Sequence, residues 1–150
     1  MDGTRFTGQE RYQLDDRLRV PVPPRYRNAF KPNGWVVIGA DGVLEVHTVK
    51  SFDDACAEVD GMPHGRLKDQ LANAFYGAAH EVTPDVQGRI TLTPNDLAHG
   101  KLEARSKVVV AGAGKCLRIW REDAWDSQTP FHHEALEKVR ELADQRSGGA

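Results

Sequence analysis

Cysteine is scarce in this 150-residue chain: Cys56 and Cys116 are the whole supply. Neither belongs to a Cys-x-x-Cys pair or to a Cys/His pattern of zinc spacing, so the sequence predicts two buried free thiols in a reducing cytoplasm. Long apolar runs are absent as well. "WVVIGA" and "VVVAGAG" are far too short to cross a bilayer. The polar start "MDGTRFTGQERYQ" has no signal-peptide core, so a soluble cytoplasmic protein without a membrane partner is expected. No Gly-x-Ser-x-Gly elbow, P-loop, Gly-x-Gly-x-x-Gly, His-x-x-x-His or Asp-x-Asp cluster is present. His132-His133 reads as a solvated pair, and "GADG" and "AGAGK" read as hairpin turns. The chain therefore gives no reason to expect an enzyme, a metal, a cofactor or a small-molecule substrate.

What is present is ordinary globular material, 39 % hydrophobic and 28 % charged, with a net charge of only −2. The average conceals a pattern. Residues 1–34 carry +3, 35–82 carry −5, 83–121 carry +4 and 122–150 carry −4. Binding responds to local potential rather than to the total, so two basic blocks stay candidates for a polyanion.

Each basic block contains one copy of an Asp-x-x-x-Arg motif. "YQLDDRLRVPVPPRYR" holds Asp15 and Arg19; "EVTPDVQGRITLTPNDL" holds Asp85 and Arg89. Aligning the copies also matches Leu14 with Pro84, Val20 with Ile90, Val22 with Leu92, Pro24 with Pro94, and Phe6 with Tyr76. After each motif a pair of β-branched strands flanks a glycine turn, and an acidic helix follows. The order strand, turn, strand, short helix, hairpin, helix thus runs twice. Pro23-Pro24 starts the first short helix. Thr93 caps the second, with Pro94 at its first position, Asp96 in its first turn and Gly100 at its end. Ser51 with Asp54 suggests a capping box before "FDDACAEV". Leu67, Leu71, Ala74, Phe75 and Ala78 form one apolar face of a connecting helix. Thr129-Pro130 begins a short last helix, expected to pack on the body and to fray over 147–150. Trp35, Trp120 and Trp125 are expected to pack rather than to stack on bases.

Each repeat has about 70 residues and too little apolar material to be comfortable alone. The two are expected to interlock through their strands. The divisions are 1–50 for the first repeat, 51–80 for connecting helices, 81–126 for the second repeat and 127–150 for the last helix and tail.

Asp and Arg four apart across a turn form an ion pair. That pair either only stabilises the turn or presets an arginine for a phosphate or a guanine edge. Gly88 suits a left-handed turn, whereas Leu18 in the first copy must stay in an ordinary conformation or be strained. Nothing in the sequence places Asp15 and Asp85 together.

Taken together, these segments resemble the MraZ family over nearly the whole chain. Phe6, Gly8, Leu14, Asp15, Arg19, Pro23, Arg25 and Arg27 match its opening, with Arg17 in place of a lysine. Ala79, Glu81, Asp85, Gly88 and Arg89 match its second motif, and "VVVAGAGKCLRIWREDAWD" is similar to its Ile-Trp…Trp hairpin and helix. The sequence departs at Leu18 for a glycine, at Pro84 for an apolar residue, and at Thr93 for a proline displaced to Pro94.

The resemblance implies an α+β, mainly β fold: two tandem AbrB-like swapped-hairpin half-domains forming one pseudo-symmetric unit, with short helices and a C-terminal helix. It implies a transcriptional regulator, nucleoid-associated and not an enzyme. Its partners would be double-stranded DNA and itself, as a ring-shaped homo-oligomer gripping tandem short G-rich promoter boxes. Those boxes would lie upstream of the division and cell-wall gene cluster, including its own gene. Arg19 and Arg89 are then the principal DNA-binding residues, oriented by Asp15 and Asp85. Arg17, with Gln87 at the matching position, is the next candidate, and Arg11, Arg25 and Arg27 are candidates for phosphates. An AbrB-fold antitoxin, or a structural ring acting through protein partners, is the alternative.

Overall fold

The computed structural model describes residues 3–148. They form β1 (Gln9–Gln13), β2 (Arg19–Pro21), a 3-10 helix (Pro24–Phe30), β3 (Gly34–Ile38), a 3-10 turn (Ala40–Gly42) and β4 (Leu44–Thr48). Then come α1 (Val49–Asp60), α2 (Arg66–Ala78), β5 (His80–Val82), β6 (Arg89–Thr91), α3 (Pro94–Gly100), β7 (Lys107–Gly112), β8 (Cys116–Arg121) and α4 (Glu122–Gly148).

The repeats do not fold side by side. The six-stranded antiparallel sheet has the order β1-β7-β8-β4-β3-β5. Strand β1 of the first repeat pairs with β7 of the second, and β5 of the second pairs with β3 of the first. The hairpins β3–β4 and β7–β8 meet along β4–β8, where Leu44 faces Ile119 and Val46 faces Leu117. Exchanging the repeats maps this order onto its own reverse, so the unit is pseudo-two-fold. Each repeat completes the other's sheet, as expected for swapped hairpins. That removes most free edges from two short sheets that would otherwise expose them.

One core serves both repeats. Phe6, Leu14, Val20, Val22, Phe30, Leu44, Ile90, Leu92, Leu117 and Ile119 are among its buried members. Period-2 alternation in β4 and β8 sends Leu44, Val46, Leu117 and Ile119 into this core. It turns Glu45, His47, Cys116 and Arg118 to the opposite face. The expected equivalence of Phe6 and Tyr76 fails here. Phe6 is buried and bridges to Gly114, whereas Tyr76 lies exposed on α2 with its hydroxyl on Asp60. Cys116 is buried as expected, but Cys56 is only half-buried.

Helix starts follow local chemistry. In α3 the Thr93 side chain accepts from the Asp96 N–H, and the Asp96 carboxylate accepts from the Thr93 N–H. This is the capping box. Helix α1 begins earlier than the Ser51/Asp54 pattern suggested. Thr48 is its cap and accepts from Ser51 N–H at 3.1 Å. Helix α2 uses its apolar face only in part: Phe75 stacks on Phe52, and Leu67 stays exposed.

The last helix differs most from expectation. Thr129-Pro130 does not start it; α4 runs unbroken for 27 residues from Glu122, with Pro130 inside. Pro130 gives up the bond to the Asp126 carbonyl and crowds it with its ring, and Thr129 Oγ1 donates to the Trp125 carbonyl one turn back. The first turns dock through Trp125 and His132 on Trp120, so His132 is half of a packed aromatic group and not simply solvated. Beyond His132 every described residue of α4 is exposed, including Leu136, Val139 and Leu142. The helix is therefore long and projects from the body. Of the tail expected to fray, 147–148 are helical and 149–150 lie outside the described residues.

Candidate nucleic-acid interface

The two Asp-x-x-x-Arg turns lie against each other. Strands β2 and β6 form a separate two-stranded ribbon in which Val20 faces Ile90 and Pro21 faces Arg89. Val20 and Ile90 are buried beneath it. Each turn closes the same way. Asp15 N–H donates to the Arg19 carbonyl and Leu18 N–H to the Asp15 carbonyl; Asp85 with Arg89, and Gly88 with Asp85, repeat the pattern. Asp15 Oδ1 accepts the N–H groups of Arg17 and Arg19, each at 2.9 Å, and Asp85 Oδ1 accepts those of Gln87 and Arg89 at 2.9 Å. The aspartate thus builds the turn with one oxygen and keeps the other for its arginine.

That second oxygen serves both repeats. Asp15 Oδ2 accepts from Arg19 Nε at 2.7 Å and lies 3.6 Å from Arg89 Nη1. Asp85 Oδ2 accepts from Arg89 Nε at 3.1 Å and lies 3.8 Å from Arg19 Nη1. The longer pair are ion contacts rather than hydrogen bonds. Four charges from sites 70 residues apart in sequence form one neutral square. Burial pushes the Asp15 carboxyl up, but the bonds from Arg19 and Arg17 outweigh it and hold it below the usual range. Asp85 is likewise lowered, chiefly by the Arg89 backbone N–H.

The other predicted residues divide. Arg17 and Gln87 are exposed at matching places on the two turns. Arg27 lies across Gly88, in the space a Cβ there would fill, and its Nε donates to the Val22 carbonyl. Arg25 Nη2 donates to the Thr7 carbonyl at 2.8 Å, and its guanidinium lies over the Tyr26 ring. Arg11 pairs with Glu122 and Asp126 of α4. These three are thus tied into the fold; Arg27 lies against the second turn at Gly88, while Arg11 and Arg25 are held by α4 and by Thr7.

Sequence reasoning missed two residues beside the turns. Arg105, at φ 69°, donates its N–H to the Leu14 carbonyl and pairs through Nε with Asp16 at 2.9 Å. The β1–β7 exchange brings it to the first turn, and no local signal announces that. Val86 is fully exposed at the tip of the second turn, where an isolated valine in sequence says nothing.

A family model described as "MraZ protein, putative antitoxin-like" matches residues 5–70 and 75–147. The chain belongs to the MraZ family. Its relatives include proteins named "Transcriptional regulator MraZ" from Ligilactobacillus salivarius, 31 % identical with 93 % of this chain and 94 % of that protein covered. One from Mycolicibacterium gilvum is 32 % identical over 86 % of this chain and 90 % of its own length. One from Nocardia farcinica is 30 % identical over 96 % and 98 %. The match breaks between the repeats, inside α2, so the two matched stretches correspond to the two interlocked halves of the MraZ unit.

Proposed function

We propose that this chain is a transcriptional regulator that binds double-stranded DNA through the β2–β6 ribbon. The observation that carries this reading is the charge square: two arginines held in fixed orientation by two aspartates, at paired turns. Nε of each arginine donates inside the square, and Nη1 faces the other repeat's aspartate at 3.6–3.8 Å without a hydrogen bond. A guanidinium has five N–H donors, so the terminal nitrogens of Arg19 and of Arg89 keep donors for a guanine edge or a phosphate. The naming of the relatives as transcriptional regulators supports the same reading.

The turns are unequal. The first carries Arg17 and has Arg105 beside it, while the second presents Gln87 and Val86. The first turn is therefore the stronger phosphate contact, and Arg17 precedes Arg11, Arg25 and Arg27 in that role. Each contact alone is weak, so a ring-shaped homo-oligomer repeating the turns at fixed spacing would grip tandem short G-rich boxes by avidity. The site of action proposed is the promoter region upstream of the division and cell-wall cluster, including its own gene, on the nucleoid. No helix among the described residues is long and apolar enough to cross a membrane.

The test is a salt-dependent mobility shift on the region upstream of its gene, against a scrambled sequence. Arg19→Ala should lower discrimination by ~1–3 kcal/mol. Unchanged binding in that variant, with the oligomer intact, would overturn the assignment. A second reading, an antitoxin-like or structural ring acting through protein partners, is favoured by the exposed apolar residues of α4 beyond His132 and by the antitoxin-like wording of the family description. Absence of any shift, together with capture of a protein by α4, would favour it.

A further inference from the structure

On the face of the sheet away from the core, Cys116 of β8 lies directly across from His47 of β4. Glu45 is two residues before His47 and so shares that face. One ligand atom from each of the three lies within 4.8 Å of the others; His47 and Cys116 are buried and Glu45 half-buried. They line a cavity of about 580 Å³. The spacing is invisible in sequence, because Cys116 is about seventy residues from the other two.

The groups around these three orient them. His47 Nδ1 lies 2.9 Å from Ser51 Oγ, which in turn lies 3.4 Å from the Thr48 carbonyl. Nδ1–H can donate to Ser51 and the Ser51 hydroxyl to Thr48. In that tautomer His47 Nε2 presents a lone pair to Glu45 Oε1, 3.1 Å away. Two acceptors at that distance need a cation or a proton between them. Arg118 Nε donates to Glu45 Oε2 at 3.0 Å and so fixes which carboxylate oxygen turns to the histidine. Metal-binding histidines and carboxylates are characteristically held in this manner from behind.

We propose that Glu45 Oε1, His47 Nε2 and Cys116 Sγ form a three-ligand site for a thiophilic divalent cation, zinc in the first instance, with a fourth position open to the cavity. One sulfur, one imidazole nitrogen and one carboxylate oxygen select zinc or cobalt over magnesium or calcium. Thiolate and carboxylate together neutralise the ion, and the thiol proton leaves to solvent as the metal–sulfur bond forms. Bond lengths of about 2.0–2.3 Å put tetrahedral ligands about 3.3–3.8 Å apart. With the ligand atoms within 4.8 Å of one another, reaching that spacing asks them to close by about 1–1.5 Å at most. Glu45 and His47 belong to the first repeat and Cys116 to the second, so the ion clamps the β4–β8 seam. This inference does not depend on DNA binding.

The test is titration of the full chain, freed of metal, with Co²⁺ and then Zn²⁺. One equivalent of Co²⁺ should produce thiolate-to-cobalt charge-transfer absorption with tetrahedral d–d bands, displaced by Zn²⁺, and Zn²⁺ should raise the melting temperature. Cys116→Ser should abolish the charge-transfer band and weaken binding roughly tenfold or more, while Cys56→Ser keeps both. If the metal-free Cys116→Ser chain does not fold by circular dichroism, Glu45→Gln decides: it should retain the thiolate band with affinity reduced to a similar degree. No band in the wild type, a band that survives Cys116→Ser, one that is lost in Cys56→Ser, or unchanged affinity in Glu45→Gln overturns the site.

Discussion

Leu18 and Gly88 are the same position in two interlocked turns, and both are left-handed, at φ 62° and 79°. Each gives its carbonyl to the other repeat: Leu92 N–H donates to Leu18 at 3.0 Å and Val22 N–H to Gly88 at 2.8 Å. The exchange of carbonyls fixes the backbone of both turns and hence the aim of Arg19 and Arg89. The geometry was kept in the first repeat although its residue is strained there.

These equivalent positions should respond unequally to substitution. A non-glycine residue in the left-handed region costs about 1–2 kcal/mol, partly offset by glycine's greater loss of freedom on folding, about 0.5–1 kcal/mol. Leu18→Gly should therefore change stability by no more than about 1 kcal/mol in either direction. Gly88→Ala adds the strain and also drives a methyl into Arg27, so it should destabilise by about 1–3 kcal/mol. Urea midpoints of both variants check this; equal losses would mean that left-handed strain and the Arg27 contact do not set the two positions apart.

Asp15 has two tasks that substitution can separate. Asn at this position keeps an oxygen for the N–H groups of Arg17 and Arg19 but gives up the charge facing Arg19 and Arg89. Asp15→Asn should preserve most stability and loosen the arginines. Asp15→Ala strands two N–H groups as well and should cost about 1–3 kcal/mol. A double-mutant cycle with Arg89→Gln should give a coupling of about 0.2–1 kcal/mol that fades with added salt, as for other partly exposed pairs. Zero coupling at low salt would remove Asp15 from the square.

The two repeats were legible in the sequence, and so was the chemistry that α3 uses to start. Thr93, Pro94 and Asp96 are neighbours, and neighbours announce themselves. The partner of each strand was not legible, since β1 pairs with β7 across about a hundred residues and nothing local selects it. Asp15 and Asp85 could be named as candidates but not joined, because their meeting depends on that exchange. The same gap hid Arg105 beside the first turn and Cys116 beside His47. Arg25 and Arg27 look like free basic residues in a string, yet their donors close on Thr7 and Val22. Pro130 misled for a different reason: proline favours helix starts, but a helix already anchored by Trp125 tolerates one.

A half-buried histidine on a buried aspartate, outside the two turns, should set an alkaline limit. His80 Nε2 lies 2.6 Å from Asp96 Oδ2, with Asp96 fully buried at the start of α3. This bond raises the His80 pKa above its ordinary value, against a smaller opposing effect of burial. A raised folded-state pKa means the folded chain holds the proton more tightly than the unfolded one. The stabilisation is then fully present below about pH 6.5, the unfolded value, and is lost as pH rises through the raised one. The melting temperature should fall over that window in the wild type and be flatter in His80→Gln. Parallel profiles would exclude the pair as the cause.

The distal part of α4 should be separable from the fold. No described residue beyond His132 is buried, so removing residues 134–148 should leave the body's urea midpoint nearly unchanged, within about 0.5 kcal/mol. The anchor lies earlier, where Trp125 meets Trp120 edge-on at 5.4 Å and His132 closes on both rings. Trp125→Ala removes a half-buried indole and its aromatic contacts, and should cost about 1–3 kcal/mol. It should also release Glu122 and Asp126 from Arg11, since the helix that carries them loses its dock. In a Trp35→Phe background Trp120 is the one indole left in this variant, and its fluorescence reads the undocking. If the truncation destabilises the body as much as Trp125→Ala, the distal helix packs on the chain after all, and its apolar residues are already covered.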